Sequence, residues 1–317
     1  MKLSREQVDV VSMFSDTWIQ HDQTLEALDE ISNFHEVNRS TTVPTFMVLM
    51  GETGTGKSSI VARYLEQFEI SEVRKQVLYV IVPEKCSKKD LVHNILVALG
   101  DPKADQGTRG NMQTRLPLYT KALGVEMIIL DEFQHLIERR NNTIREEVAD
   151  WVKTQGDILG IPFLLVGLPE IESILSVNKQ LARRVSKKQP IEKFSIATDE
   201  ERKKFGLLLY FIDRQLPFAE RSDLLMPAVM QALLSATGGL IGYIMRLVRR
   251  GVELALLKNA DALLQSHLAD AYQELGGPEH LDSNPFESRP RQKGNLNHVG
   301  KTNIRGRRKK DADESDE

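Results

Sequence analysis

Residues 51–58 read Gly51-Glu52-Thr53-Gly54-Thr55-Gly56-Lys57-Ser58, which is the G-x-x-x-x-G-K-S signature of a P-loop. The apolar run 46–50 before the signature predicts a strand, and residues 59–65 after it predict the start of a helix. Glycines let backbone N–H groups approach phosphate oxygens, and the start of a helix adds unpaired donors and a partial positive charge. The alternative is a glycine-rich turn ahead of an ordinary helix, which the complete motif in its required context disfavours.

The signature assigns a phosphate contact to this loop. We expect residues 51–58 and Ser59 to hold ATP, with Lys57 reaching the β- and γ-phosphates as a catalytic cation. The Ser58 hydroxyl is expected to ligate Mg²⁺, since this ion prefers oxygen ligands.

The composition excludes several classes of site. The chain has 317 residues and a net charge of −3, so any DNA-binding surface has to be a local patch. The single cysteine, Cys86, excludes an intramolecular disulfide and a cysteine-rich zinc site, which fits the reducing cytoplasm. No run approaches the ~20 apolar residues of a membrane span, and the start of the chain lacks a signal-peptide pattern. We therefore expect a cytoplasmic protein with no membrane partner.

Apolar runs alternate with helical patterns through the middle of the chain, which predicts an α/β fold with a parallel sheet between two layers of helices. The predicted strands are 46–50, 77–82, 126–130 and 162–166, and the predicted helices are 57–68, 87–99, 111–123 and 143–157. After about residue 190 the strand patterns stop, and helices are predicted at 199–215, 222–236, 240–258 and 260–275.

These patterns predict four segments: an N-terminal helical segment (1–45), an ATPase core (46–195), a helical lid (196–275) and a charged tail (276–317). In the first segment, an apolar stripe at three-residue steps is predicted to lie on one helix face: Leu25, Leu28, Ile31 and Phe34. The tail joins a basic block to an acidic block, a pattern that is typical of disorder, with contact to a phosphate or a partner as the alternative.

Two acids follow the buried strand Met127-Ile128-Ile129-Leu130, at the end where open α/β sheets place ligands. Asp131 is expected to hold Mg²⁺, and Glu132 is expected to be the catalytic base that deprotonates a water for attack on the γ-phosphate. A strand that runs into an exposed acidic turn is the alternative, and the complete P-loop upstream disfavours it.

Further positions are candidates for contact with the γ-phosphate. Ring-forming ATPases carry a polar sensor at the end of the fourth strand, where this chain has Gly167 and Leu168, so the sensor is missing or comes from elsewhere. Arg183 and Arg184 follow that strand, where a planar, always-charged guanidinium can act in a neighbouring subunit's site; a solvated basic helix face is the alternative. Arg246 is a candidate for a contact from the lid, with a solvated arginine beside an apolar stripe as the alternative.

Together these stretches resemble the AAA+ superfamily and, more narrowly, the TniB/TnsC family of transposition ATPases, over about residues 40–275. Beyond the P-loop and the acidic pair, the stretches that carry the resemblance are 80–91 (VIVPEKCSKKDL), 123–132 (LGVEMIILDE), 160–167 (GIPFLLVG) and 236–242 (ATGGLIG). Two departures from the family are the long tail and Tyr243, which stands where close relatives carry a basic residue in the lid.

The resemblance implies a fold, an activity and partners. It implies an AAA+ P-loop NTPase with a small helical lid, which binds ATP and Mg²⁺ and hydrolyses ATP slowly. It also implies self-association into a ring or helical filament on duplex DNA. The polymer would link a target-selector protein, TniQ-like or equivalent, to a DDE transposase, and hydrolysis would disassemble it. The selector could be a CRISPR effector or a sequence-specific DNA-binding protein.

The family's DNA contacts correspond to Lys88, Lys89, Thr108 and Arg109 in this chain. Cationic side chains and a hydroxyl suit phosphate oxygens, which position a protein on DNA without reading its sequence. For the lysines, an ordinary exposed helix N-terminus is the alternative. Two cations at that end oppose the helix dipole, so an anionic partner would relieve the repulsion.

Two other interpretations stay open. One is an AAA+ ATPase of another pathway, such as secretion or replication loading, which keeps Lys57, Asp131 and Glu132 but has no role on DNA. The other is a nucleotide-gated scaffold with little turnover.

Overall fold

A computed structural model describes residues 2–39, 41, 43–69, 71, 73–136, 142–278 and 281–287, without the side chains of Arg109 and residues 142–145. The described strands are β1 (Phe46–Met50), β2 (Val77–Ile81), β3 (Met127–Asp131), β4 (Phe163–Gly167) and β5 (Val185–Pro190). The described α-helices are α1 (Arg5–Ser15), α2 (Asp22–Asn38), α3 (Lys57–Leu65), α4 (Lys88–Leu99), α5 (Arg109–Leu123), α6 (Asn142–Leu159), α7 (Ile171–Val177), α8 (Lys179–Ala182), α9 (Asp199–Gln215), α10 (Pro227–Thr237), α11 (Ile241–Leu257) and α12 (Gln265–Leu275). A 3-10 turn, η1, spans Phe133–Leu136.

The strands form one parallel sheet in the order β2-β3-β4-β1-β5, with Phe46 opposite Phe163 and Ile81 opposite Asp131. The parallel α/β fold predicted from the sequence is thereby confirmed. Because parallel strands all end at the same edge, the P-loop after β1 and the acids at the end of β3 lie on one edge of the sheet.

Both faces of the central strands are buried, which explains their uninterrupted apolar sequences. In β1, Phe46 and Val48 pack into one apolar cluster with α4, α5 and α6, whereas Met47 and Leu49 pack into another with α2 and α3. A third cluster joins α1 to α9, α10, α11 and α12, with residues such as Phe14.

β5 was not predicted, and it replaces the basic helix face considered for this stretch. Its sequence, Val185-Ser186-Lys187-Lys188-Gln189-Pro190, has one aliphatic residue and ends in proline, so it lacks a strand pattern. β5 is an edge strand, where charges and proline are tolerated. Its lysines pair with acids on two different helices, Lys187 with Glu30 and Lys188 with Glu172.

The predicted apolar stripe on α2 is wrong at its first residue. Leu25 is 40% exposed, while Ile31 and Phe34 are buried and Ala27 shares their face. Steps of three residues drift by about 60° each on a helix of 3.6 residues per turn, so Leu25 and Phe34 lie on opposite sides.

Part of the segment assigned to the tail is packed. Phe286 is buried against Tyr272 of α12, with 6.3 Å between the ring centroids, and its carbonyl accepts a hydrogen bond from Gln265. The basic and acidic blocks, 301–310 and 311–317, lie outside the described residues.

Among the described helices, none is by itself long and apolar enough to cross a membrane. The pair α10 and α11 passes that test jointly, on length and composition alone, with a bend of 117° at the break between them.

Candidate functional site

The P-loop joins β1 to α3 and is built around a buried lysine. Lys57 is 7% exposed, and its Nζ donates to the carbonyls of Gly51 at 2.7 Å and Glu52 at 3.0 Å. Gly54 and Gly56 have φ values of +85° and +94°, which side chains with a Cβ rarely adopt. The loop therefore holds its ammonium group at the start of a helix, among unpaired N–H groups.

Burial lowers the pKa of Lys57, while the nearby carboxylates Glu132 and Asp131 raise it and so partly oppose the shift. The hydrogen bond from Ser58 Oγ to Asp131 Oδ2, at 3.3 Å, joins the two halves of the predicted site. Lys57, the P-loop and the acidic pair thus form one cleft.

Asp131 lies at the end of β3 and is 2% exposed. Its Oδ2 accepts from Ser58 Oγ at 3.3 Å and from Tyr79 Oη at 2.8 Å, and its Oδ1 accepts from the backbone N–H of Glu132 at 2.8 Å. Burial and the hydrogen bond to Asp131 raise the pKa of Tyr79, so this phenol stays a donor. The sequence interpretation missed Tyr79, since nothing in the β2 pattern distinguishes it from a packing residue.

Glu132 has a backbone φ of +56°, which is uncommon for a residue with a side chain. Its carboxylate accepts a hydrogen bond from the side-chain amide of Gln134, and Gln134 Oε1 accepts from the backbone N–H of Leu168 at 3.1 Å. Gly167 and Leu168 have no polar side chain that could act as the sensor. Gln134 of η1 fills the space beside them. Gln134 was also missed; its signal is a polar residue two positions after the acidic pair.

The start of α11 contacts the P-loop directly. The backbone N–H of Gly242 donates to the carbonyl of Gly54 at 2.8 Å. A Cβ placed on Gly54 would lie 3.4 Å from the Tyr243 ring, and one on Gly56 would lie 3.3 Å from Ile241. Tyr243 is therefore a packing contact of the loop.

A cavity of about 340 Å³ opens beside this contact, between the loop after α1, the start of α3 and one face of α11. Gly56 and Ser59 line it from the P-loop side, and Arg246 and Arg249 from α11. Arg246 was predicted, whereas Arg249, one turn further along the same face, was not. Neither arginine has an ion-pair partner among the described side chains.

His21 also lines the cavity and is 7% exposed. Within the described part of the chain, neither of its ring nitrogens has a hydrogen-bond partner. Burial lowers the pKa of His21 to about 4, so the imidazole is neutral at pH 7 and offers one donor and one acceptor.

The two arginines after β4 differ in their surroundings. Arg184 forms an ion pair with Asp157 of α6, whereas Arg183, at the end of α8, is exposed and has no such partner among the described residues. Arg183 is the one that is free to reach another molecule.

The predicted DNA contacts lie at the starts of α4 and α5. Lys88 forms an ion pair with Glu147 of α6 at 2.8 Å, so its anionic partner is internal, and Lys89 is exposed. Thr108 is exposed and caps α5 by accepting from the N–H of Asn111 at 3.3 Å. The side chain of Arg109 lies outside the described residues.

A magnesium ion fits the oxygen atoms of Asp131 and Ser58. No group of three or more histidine, cysteine or acidic side chains in the described residues can hold a metal by itself. This agrees with Mg²⁺, which uses one or two protein ligands, water and substrate phosphates.

Comparison with known proteins gives a family and a fold. A family model described as "Bacterial TniB protein" matches residues 10–195, which is more than half of the chain. No curated protein matches.

Solved structures of ORC and Cdc6 proteins share the fold of this chain at low identity. The ORC1 protein of Aeropyrum pernix, solved in complex with DNA, is 15% identical with a TM-score of 0.61, over 86% of this chain and 69% of that one. Cdc6p of Pyrobaculum aerophilum is 16% identical with a TM-score of 0.59, over 83% and 70%. The ORC2 protein of Aeropyrum pernix, solved with ADPNP and ADP, is 15% identical with a TM-score of 0.58, over 84% and 72%.

Proposed function

The chain belongs to the family of bacterial TniB proteins, and we propose that it is an ATPase that oligomerises on duplex DNA, links target selection to a DDE transposase and disassembles on ATP hydrolysis. The AAA+ fold and the family support the ATPase, and the resemblance of the sequence to TniB/TnsC proteins supports the role in transposition. The observation that carries the proposal is the meeting of the P-loop and the acidic pair, with Ser58 Oγ 3.3 Å from Asp131 Oδ2.

The phosphates of ATP bind in the P-loop in this account, and the base and ribose enter the adjoining cavity. Its volume of about 340 Å³ falls in the usual range of small-molecule pockets, roughly 300–1,000 Å³. Neutral His21 can both donate to and accept from the edge of a base. Arg246 and Arg249 line the same cavity as Gly56 and Ser59 and supply positive charge near the phosphates.

Each polar group of the cleft then has a role in hydrolysis. Lys57 balances charge on the β- and γ-phosphates, and its carbonyl partners keep it at the loop. Glu132 takes a proton from the attacking water, whose oxygen bonds to the γ-phosphorus as the bond to the bridging oxygen breaks. Mg²⁺ bound by Asp131 and Ser58 would neutralise charge on the phosphates.

The surroundings of the basic residues support self-association and DNA contact. Arg183 is exposed, has no ion-pair partner within the described part of the chain, and can complete the cleft of an adjacent copy. Lys89 and Thr108 are exposed at the starts of two neighbouring helices, where phosphate contacts would be independent of sequence. We also propose that residues 46–195 act as the ATPase core and 196–275 as the lid.

Two assays test this function. Electron microscopy in negative stain should show filaments or rings only with both ATP and duplex DNA, and fewer of them at high salt. A chain that stays monomeric under these conditions contradicts the proposal. Phosphate release by wild type and Glu132→Gln separates an enzyme from a scaffold: we expect the variant to be about 10²- to 10⁴-fold slower, whereas equal rates favour the scaffold.

A further inference from the structure

Gln134 connects the proposed catalytic base to the end of β4. It is 7% exposed, its amide nitrogen donates to Glu132 Oε2, and its amide oxygen accepts from Leu168 N at 3.1 Å. The Leu168 N–H can only donate, so it fixes which end of the amide faces β4. The nitrogen must then face Glu132, and the amide can hold the carboxylate in one orientation.

Gly167 leaves the room that Gln134 occupies. A Cβ built on Gly167 would lie 2.2 Å from Gln134 Oε1, far inside any allowed contact, and 3.0 Å from Ile171. The position where a polar sensor was sought is thus filled by a side chain from η1. A residue larger than glycine at 167 and the observed position of Gln134 exclude each other.

Glu132 is constrained at both its backbone and its carboxylate. Its φ of +56° is unfavourable for an ordinary side chain, and its N–H donates to Asp131 Oδ1 at 2.8 Å. Strained backbone of this kind persists where the surrounding structure enforces it. The Gln134 amide supplies the second constraint, on the atoms that would accept a proton.

We propose that Gln134 is a positioning residue, which orients Glu132 for proton transfer and couples it to the end of β4. This role rests on the proposed function, in which Glu132 is the base. Gln134 acts through Glu132 and Leu168 rather than on the phosphate itself, and it takes the place of a side chain at the end of β4. Loss of Gln134 should therefore slow hydrolysis more than it weakens nucleotide binding.

Two variants at this position separate positioning from structure. Gln134→Met keeps length and burial but removes both hydrogen bonds, so kcat should fall about 10- to 100-fold, the cost of a displaced catalytic group, with the KM for ATP changed less. Gln134→Glu places a second carboxylate against Glu132, which raises the pKa of the pair. The acidic limb of its pH–rate profile should move to higher pH by about one unit or more.

Controls distinguish the failure of this inference from that of the proposed function. Gln155→Met alters another buried glutamine, on α6, and should leave both kcat and the acidic limb unchanged. Gly167→Ala should lower kcat as Gln134→Met does. Added to Gln134→Met, it should lower kcat by a smaller factor than it does in wild type. ATP binding and thermal unfolding, measured for every variant, show which ones are folded.

Three outcomes are decisive. A fall in kcat with a displaced limb, in variants that still bind ATP, supports the positioning role. If wild type hydrolyses ATP but the Gln134 variants have the same kcat and pH profile as wild type, this inference alone is overturned. A wild type that neither binds nor hydrolyses ATP overturns the proposed function and this inference with it.

Discussion

The backbone N–H of Gly242, at the start of α11, donates to the carbonyl of Gly54 in the P-loop at 2.8 Å. Gly54 has a φ of +85°, and the Tyr243 ring packs on its open side. A helix of the proposed lid is therefore bonded to the loop that is expected to hold phosphates. A change in the loop on nucleotide binding must shift α11 or break this bond, which couples the loop to the lid.

Gly242→Ala should weaken ATP binding several-fold, because the loss of one hydrogen bond costs about 1 kcal/mol. The new Cβ would lie 3.2 Å from the Gly54 carbonyl oxygen and 3.3 Å from its Cα, so α11 has to move away from the loop. Isothermal titration calorimetry with ATP measures the effect. The matched control is Gly206→Ala on α9, where the nearest atom, in Met230, is 3.8 Å away. Equal affinities of Gly242→Ala and Gly206→Ala for ATP would contradict the coupling between the P-loop and α11.

Arg183→Ala should abolish most of the hydrolysis in the oligomer, whereas Arg184→Ala should keep it. Arg184 already pairs with Asp157, so its loss costs at most about 1 kcal/mol of stability. Mixing Arg183→Ala with Glu132→Gln subunits should restore part of the activity, because the intact cleft of an Arg183→Ala subunit meets an intact arginine wherever it faces a Glu132→Gln subunit. Full activity of Arg183→Ala alone would exclude this residue as the group that acts in trans.

Some of the architecture could be predicted from the sequence, because those features depend on residues that are adjacent in the chain. The P-loop is a local motif. The buried strand before Asp131 predicts that its carboxylate lies at the same edge of the sheet as the P-loop. The contact of Gln134 with Leu168 could not be predicted, because it requires the order of β3 and β4 and the empty space at Gly167. The hydrogen bond of Tyr79 to Asp131 likewise depends on strand register.

The errors also have physical causes. β5 lacks an apolar pattern because this edge strand carries two lysines that pair with acids on neighbouring helices, and edge strands tolerate such charges. Leu25 was placed on the same face of α2 as Phe34 because a spacing of three residues was treated as one stripe. The internal partner of Lys88 is Glu147, on a helix far away in the chain, so the sequence indicated an unpaired cation where the structure has an ion pair.

Lys89→Gln should weaken binding to duplex DNA uniformly across sequences and reduce the slope of log K against log salt by about 1, as expected for one lost phosphate contact. Lys88→Gln should have a smaller effect, since Glu147 already neutralises part of its charge. Fluorescence anisotropy at several salt concentrations, with ATP present, measures both. Lys258→Gln, at the end of α11, is the control. Unchanged DNA binding in the Lys88 and Lys89 variants would favour an ATPase of another pathway.

His21 should make the fold sensitive to acid. Its pKa is about 4 in the folded chain and 6.5 in its ordinary environment, so the unfolded chain takes up a proton first as the pH falls. The stability that this neutral histidine contributes is complete above pH 6.5 and is lost between 6.5 and 4. His35 and His267, whose pKa values burial also lowers, act in the same direction.

Urea unfolding of wild type and His21→Phe at several pH values isolates this contribution, because the other histidines are present in both proteins. The free energy of unfolding should fall more steeply with acid in wild type than in the variant. Parallel pH curves for wild type and His21→Phe would show that His21 does not titrate as described.

Calorimetric titration of the purified chain with ATP and magnesium tests the central claim, that one cleft built by the P-loop and the acidic pair grips a triphosphate. The account predicts saturable binding by wild type, at least about tenfold weaker binding by Lys57→Ala, and binding that depends on magnesium. A wild type that gives no binding signal with ATP and magnesium, or a Lys57→Ala variant that binds as tightly as wild type, would contradict it.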